Sequence, residues 1–146
     1  MKQKIPVKIL RPNAVIPTYG TEFSAGADLY ACLDAPVIIA PGQTALIPLG
    51  FAMALPEGYA GFVFARSGLA TKRDLAPANK VGIIDADYRG ECMVPLHNHG
   101  QSPQSVEHGE RIAQMAILPY LAGEFFETDK LSDTERGEGG FGSTGR

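Results

Sequence analysis

A chain of 146 residues has the size of one domain, and burying roughly 70 % of its unfolded surface calls for a single core. With 45 % hydrophobic and 20 % charged residues it is neither disordered nor fibrous. A net charge of −3 supplies no overall basic field for a nucleic-acid backbone, though a small anionic ligand remains open wherever cations gather locally.

The start, MKQKIPVKIL, lacks an apolar run of signal-peptide length, and no stretch approaches the roughly 18 apolar residues of a membrane span, so a cytoplasmic protein is expected. Strands are expected at Val7 to Leu10, Val37 to Ala40, Thr44 to Leu55, Tyr59 to Ala65, Val81 to Ile84, Tyr88 to His97 and Arg111 to Pro119. They are rich in Val, Ile, Phe and Tyr and are bounded by Pro-Gly, Pro-Glu-Gly and His-Gly turns. One helix of a turn or two is expected at Ser67, because 17 glycines and 11 prolines interrupt the chain too often for a long one. The pattern predicts an all-β single domain, a sandwich, jelly roll or barrel. Cys32 and Cys92 lie outside any metal or disulfide spacing and are read as free, buried thiols.

Five segments have the residue types that do chemistry. Ala25-Gly26-Ala27-Asp28-Leu29-Tyr30 holds an aspartate that an ordinary turn would also explain. Ala65-Arg66-Ser67-Gly68-Leu69-Ala70 places an arginine and an N-cap-type serine where a strand gives way to a helical turn; it suits a phosphate group, or it is a plain cap beside a surface arginine. Gly82 to Gly90 carries Asp85 and Asp87 in what reads as a tight hairpin. Asp85 there is either a turn-forming residue or a carboxylate placed to take a proton from water, and spacing does not decide. In Glu110 to Met115, Gln114 alternates with apolar neighbours as an outward strand residue does.

After about Leu131 the chain turns polar and glycine-rich. The run from Gly137 to Gly142 fits G-x-G-x-x-G, but a dinucleotide fold needs a helix and an acidic residue beyond it, and the chain ends at Arg146. What remains is physical: closely spaced glycines turn successive N–H groups toward an anion, Ser143 and Thr144 add hydroxyls, and Arg136 adds a cation. A plain solvated tail is the other reading, and the lone aromatic Phe141 weighs against it.

In this order, AGADLYA, ARSGLA, NKVGIIDADYRGE, ERIAQM and RGEGGFGSTG resemble the five motifs of the homotrimeric dUTPase family, over residues 25 to 145. One departure is Ala65, where many members have proline; the turn is less stiff for it. The resemblance implies a jelly-roll core over residues 1–135 and a mobile glycine-rich arm over 136–146 that closes over the active site. It implies hydrolysis of dUTP to dUMP and pyrophosphate with Mg²⁺, which limits uracil in DNA and supplies dUMP for dTMP synthesis.

Carried over by residue, the resemblance makes Asp85 the base that activates water and Asp28 the carboxylate that orients the metal's hydration shell, with Gln114 assisting at metal and phosphate. Arg66, Ser67 and Gly68 would bind phosphate. Asn79, Ile83, Ile84 and Met93 would surround deoxyuridine, and Tyr88 would pack beneath the sugar. Arg136, Phe141, Gly142, Ser143 and Thr144 would form the closing arm, Phe141 covering uracil. Sites would be shared between the subunits of a trimer, so that monomers are inactive. A dCTP deaminase shares the fold and trimer, but the IDADYRG and GGFGSTG segments favour the dUTPase; a non-catalytic regulatory trimer would be expected to show a broken motif.

Overall fold

The computed structural model describes residues 3–143 and 145. In chain order they form β1 (Val7–Ile9), β2 (Thr18–Tyr19), β3 (Ala27–Tyr30), β4 (Val37–Ile39), β5 (Thr44–Pro48), β6 (Phe51–Met53) and β7 (Tyr59–Phe64). Then come helix α1 (Ser67–Arg73), β8 (Leu75–Pro77), β9 (Gly82–Ile84), β10 (Met93–Asn98), β11 (Gln104–Val106) and β12 (Arg111–Pro119). Among the described residues α1 is the only helix, and no helix is long and apolar enough to cross a membrane. The all-β architecture read from the sequence is the one observed.

Every pairing is antiparallel, and the largest sheet runs β2-β3-β12-β7-β9. A second sheet runs β5-β10-β8, and the pairs β1-β6 and β11-β4 complete the walls. Alternation fills the space between them: β3 and β10 bury every second side chain. Leu29, Ile39, Ile47, Phe51, Leu75, Val94, Leu96, Val106 and Ile112 meet there as one core. Cys32 and Cys92 are free and buried, as expected. The buried Asn98 has its polar atoms answered, donating to Ile39 O and Ser102 O and accepting from Gly100 N.

The structure corrects the expected elements at three places. The run Thr44 to Leu55 is two strands, broken at Gly50, whose φ of 78° is open to glycine and whose missing Cβ makes room for Ala14 and the Cys32 sulfur. The strand expected from Tyr88 begins only at Met93, because residues 85–92 carry the chain from the large sheet to the smaller one. For the same reason there is no hairpin of paired strands around Asp85: β9 pairs with β7, and β10 pairs with β5 and β8. Four short strands, β2, β3, β8 and β11, were not expected at all.

Candidate active site

Asp28 lies in β3 between the buried Ala27 and Leu29, so its side chain takes the opposite face of the sheet. Directly across the ladder stands Gln114 of β12, and beyond it Phe64 of β7. Where β7 ends, Arg66 turns back over this row, and its Nε donates to Asp28 Oδ1 at 2.9 Å. Arg111 Nη1 reaches Asp28 Oδ2 at 3.4 Å, and Arg66 Nη1 reaches the Arg111 carbonyl at 3.4 Å. Gln114 Nε2 donates to Ala65 O at 2.9 Å and so ties the strand to the turn before α1.

Asp28 is only about 14 % exposed, and two guanidinium groups face one carboxylate, which leaves this corner with a local excess of one positive charge. It is a place for an anion in an acidic protein.

Arg111 was not among the residues singled out from the sequence, and the reason is geometric. In a regular strand, residues 111 and 114 point to opposite faces. Here the register shifts between Arg111 and Ala113, so that Arg111 pairs with Tyr30, and this bulge returns Arg111 to the face of Asp28 and Gln114. No spacing rule announces a bulge.

Gly26 supports the same corner, since a Cβ there would lie 2.5 Å from Gln114 Oε1. Ser67 and Gly68 open α1, and the expected serine cap is not formed. The cap position is held by Arg66 in extended conformation with no side-chain capping bond to the helix, so Ser67 is the first helical residue.

The other expected residues gather elsewhere. Asn79 sits beside Gly82, with Nδ2 3.3 Å from where a Gly82 Cβ would stand, and Ile83 and Ile84 belong to β9. Asp85 follows as an exposed residue opening a turn closed by Tyr88 N–H to Asp85 O at 3.2 Å. With Leu55, Asp87, Arg89 and Tyr120 it lines a shallow polar depression. Tyr88 OH donates to Glu91 O at 2.9 Å, and Met93 starts β10, partly exposed.

The two groups do not meet within one chain. Phe64 is level with Asp28, while β9 pairs so that Gly82 meets Val63 and Ile84 meets Gly61. Asp85 is therefore three strands across and four residues along from Asp28, roughly 20 Å at about 4.8 Å per strand and about 3.3 Å per residue.

The glycine-rich tail forms a third group. Arg136 Nε donates to Gly139 O at 2.7 Å, Ser143 N–H donates to Gly140 O at 3.0 Å, and Phe141 projects fully into solvent at a φ of 51°. Gly137 and Gly142 also take positive φ, so the tail folds in local turns upon itself. Thr144 lies outside the described residues.

Comparison with known proteins puts these three groups in one family. A family model described as dUTPase matches residues 12–145. Deoxyuridine 5'-triphosphate nucleotidohydrolases of two Desulfitobacterium hafniense strains, DSM 10664 / DCB-2 and Y51, are 55 % identical over 145 residues, 97 % of this chain and 96 % of theirs. Among solved structures, Staphylococcus bacteriophage 80alpha dUTPase with dUpNHpp superposes with a TM-score of 0.91 at 29 % identity, covering 99 % of this chain and 100 % of that one. Since the matched residues run through the Asp28 corner, the Asp85 turn and the glycine-rich tail alike, the chain belongs to the dUTPase family.

Proposed function

We propose that this dUTP diphosphatase cuts dUTP with a water deprotonated by Asp85 and directed at the α-phosphorus, in sites that each draw on more than one copy of the chain. The observation that carries the proposal is the separation of Asp85 from the Asp28 corner. A general base must stand within hydrogen-bond reach of its water. Arg66 and Arg111 must reach the triphosphate that the water attacks. Roughly 20 Å inside one chain denies both conditions to a monomer, so the reading requires the Asp85 turn of one copy to stand beside the Asp28 corner of another.

An uncovered segment supports the same assembly. After β12, Leu121 and Phe125 are 94 % and 97 % exposed, with Phe126 and Leu131 nearly as open. On the body, Ile5, Val7, Ile16, Tyr19, Tyr59 and Ile117 line an open apolar cleft. Large apolar surfaces of this kind mark interaction sites. In the assembly we favour the homotrimer.

Within each site Arg66 and Arg111 grip phosphate oxygens, joined by the uncapped N–H groups of Ser67 and Gly68. Asn79, Ile83, Ile84 and Met93 enclose the uracil, and Tyr88 lies under the sugar. The arm, residues 136–146, closes over them from the core of residues 1–135: Phe141 covers the base, while Arg136, Gly142, Ser143 and Thr144 hold the outer phosphates and keep water out.

Mg²⁺ fits this corner as an ion that enters with the substrate. Asp28 is already engaged by two arginines, and among the described residues no cluster of three or more His, Cys, Asp or Glu is arranged to hold a metal. Asp28 and Gln114 would then hold Mg²⁺ through its waters, and the ion would neutralise charge on the leaving pyrophosphate.

Subunit mixing tests the shared site. Asp28→Asn chains and Asp85→Asn chains, each inactive alone, are unfolded together and refolded as mixed assemblies. Some of their sites unite an intact Asp28 corner with an intact Asp85 turn, so pyrophosphate release from dUTP returns. Mixtures as inactive as either parent would defeat the shared-site reading.

A further inference from the structure

We propose that Arg11 is a positioning residue for sugar selection, acting through Glu91 on Tyr88. The inference rests on the reading of Tyr88 as the wall beneath the deoxyribose.

Arg11 follows β1, far from every family motif named above, yet its guanidinium fork closes on the Glu91 carboxylate 80 residues away. Nε bonds Oε1, and Nη2 bonds Oε2 at 3.0 Å. Both partners are pinned to the same turn of backbone. Arg11 N–H donates to Gly50 O at 3.2 Å and Leu10 N–H donates to the same oxygen at 2.8 Å, while the Glu91 carboxyl is held below its ordinary range by Arg11 first and, to a lesser degree, by the Gly50 backbone. The residue after Glu91 is locked into the core: Cys92 N–H donates to Phe51 O at 2.8 Å and Leu49 N–H to Cys92 O at 3.0 Å. Glu91 is therefore held at its side chain and on its C-terminal side, and its side chain is only about 15 % exposed.

This fixed residue anchors the tyrosine. Tyr88 OH donates to the Glu91 carbonyl at 2.9 Å, and the ring end lies over Gly90 so closely that a Cβ there would collide with the hydroxyl and Cζ. Arg89, between them, folds its guanidinium back to Ala86 O at 2.6 Å and Tyr88 O at 3.1 Å, so the charged side-chain tie from this turn to the body of the protein is the one Arg11 makes to Glu91. Without Arg11 a largely buried carboxylate loses its cation, the Tyr88 to Glu91 turn relaxes, and the ring no longer has a fixed height. A wall that can retreat by a fraction of an ångström admits a 2′-hydroxyl.

The experiment measures kcat/KM for dUTP and UTP in wild type, Arg11→Ala, Arg11→Lys, Glu91→Gln, Tyr88→Phe and Tyr88→Ala, with circular dichroism and sedimentation confirming each fold. Arg11→Ala and Glu91→Gln should keep kcat on dUTP within about twofold while the dUTP/UTP ratio falls about tenfold or more, since displacing a group far from the chemistry acts on this scale. Arg11→Lys should restore part of the ratio, because an ammonium keeps the charge and loses the fork. Tyr88→Phe should relax selection similarly, and adding Arg11→Ala to it should change the ratio no further. If Tyr88→Ala leaves the ratio unchanged, the sugar-wall reading itself fails. If Tyr88→Ala lowers the ratio but Arg11→Ala and Glu91→Gln do not, the positioning role of Arg11 is overturned and the wall stands.

Discussion

Replacing Gly26 with alanine would test whether Gln114 must stand where it does. A Cβ at Gly26 would lie 2.5 Å from Gln114 Oε1, 3.2 Å from its Cδ and 3.4 Å from its Cβ. Gly26 is not among the glycines at positive φ, so alanine meets no backbone strain and the conflict is steric alone. Comfortable contact begins near 3.5 Å, so the carboxamide must shift by roughly 1 Å. Gln114 is half-buried and has room to swing outward, which gives up its 2.9 Å bond to Ala65 O. The loss in stability should then be about 1 kcal/mol, the usual net worth of one such bond, rather than the up to about 3 kcal/mol of an overpacked core. The loss in kcat/KM should be larger in proportion, about 100-fold, because a misplaced group in the site costs more than its bond. The assay pairs thermal melting at fixed protein concentration with pyrophosphate release, and adds Gln114→Ala and the double variant. With the carboxamide already gone, Gly26→Ala should change neither quantity much further, a strong non-additivity. Wild-type kcat/KM in Gly26→Ala, or costs that simply add, would refute the steric argument.

Asp85→Asn should still bind dUTP with Mg²⁺ but lose at least about 100-fold in kcat, the scale for a general base; a variant keeping more than about a third of wild-type kcat removes Asp85 from that role. The Arg11 hydrogen bond holds the Glu91 carboxyl below its ordinary range, against an opposing push from burial. A depressed carboxyl stabilises the fold above its unfolded pKa, and that contribution is lost as pH falls through the folded one. The melting temperature of wild type should therefore exceed that of Glu91→Gln at neutral pH and converge with it in acid, below the usual carboxylate range. A gap that persists there would place the stabilisation elsewhere.

The all-β class was legible because it follows from local composition: β-branched and aromatic runs between Gly and Pro turns leave few alternatives. The strands that escaped notice were short or poorly marked. Leu75–Pro77 contains a proline, and Thr18–Tyr19 has only two residues, so both owe their conformation to longer partners. The candidate site residues Asp28, Arg66 and Gln114 do come together, across separations of 38 residues from Asp28 to Arg66 and 48 from Arg66 to Gln114, but only sheet register reveals that. Register also hides in sequence the swing of Arg111 at its bulge and the distance from Asp28 to Asp85. The expected serine cap failed because an extended residue already precedes α1, and extended backbone at that position was filled by Arg66 itself.

The proposed function divides the tail into a tether and an arm, and the division can be tested. The Tyr120 N–H bond to Gly58 O, at 3.0 Å, is among the described residues the last backbone bond from the tail to the body. From there to Phe141 an extended chain spans roughly 70 Å, enough to reach a neighbouring copy but far too loose to aim one ring. If Phe125, Phe126 and Leu131 are anchored on a second copy, only ten residues separate the anchor at Leu131 from the Phe141 ring, with a typical reach of roughly 18 Å. The anchor thereby raises the effective concentration of the arm at one site, and the glycines keep closure cheap to reverse. On this reasoning Phe125→Ser with Phe126→Ser should weaken assembly and make activity fall on dilution. Ending the chain at Glu135 should leave sedimentation and melting intact while lowering kcat by orders of magnitude, with dUMP binding much less affected, since dUMP lacks the outer phosphates that close the arm. Truncation that dissolves the assembly, or leaves kcat near normal, would show that the tail is structural or dispensable rather than a lid.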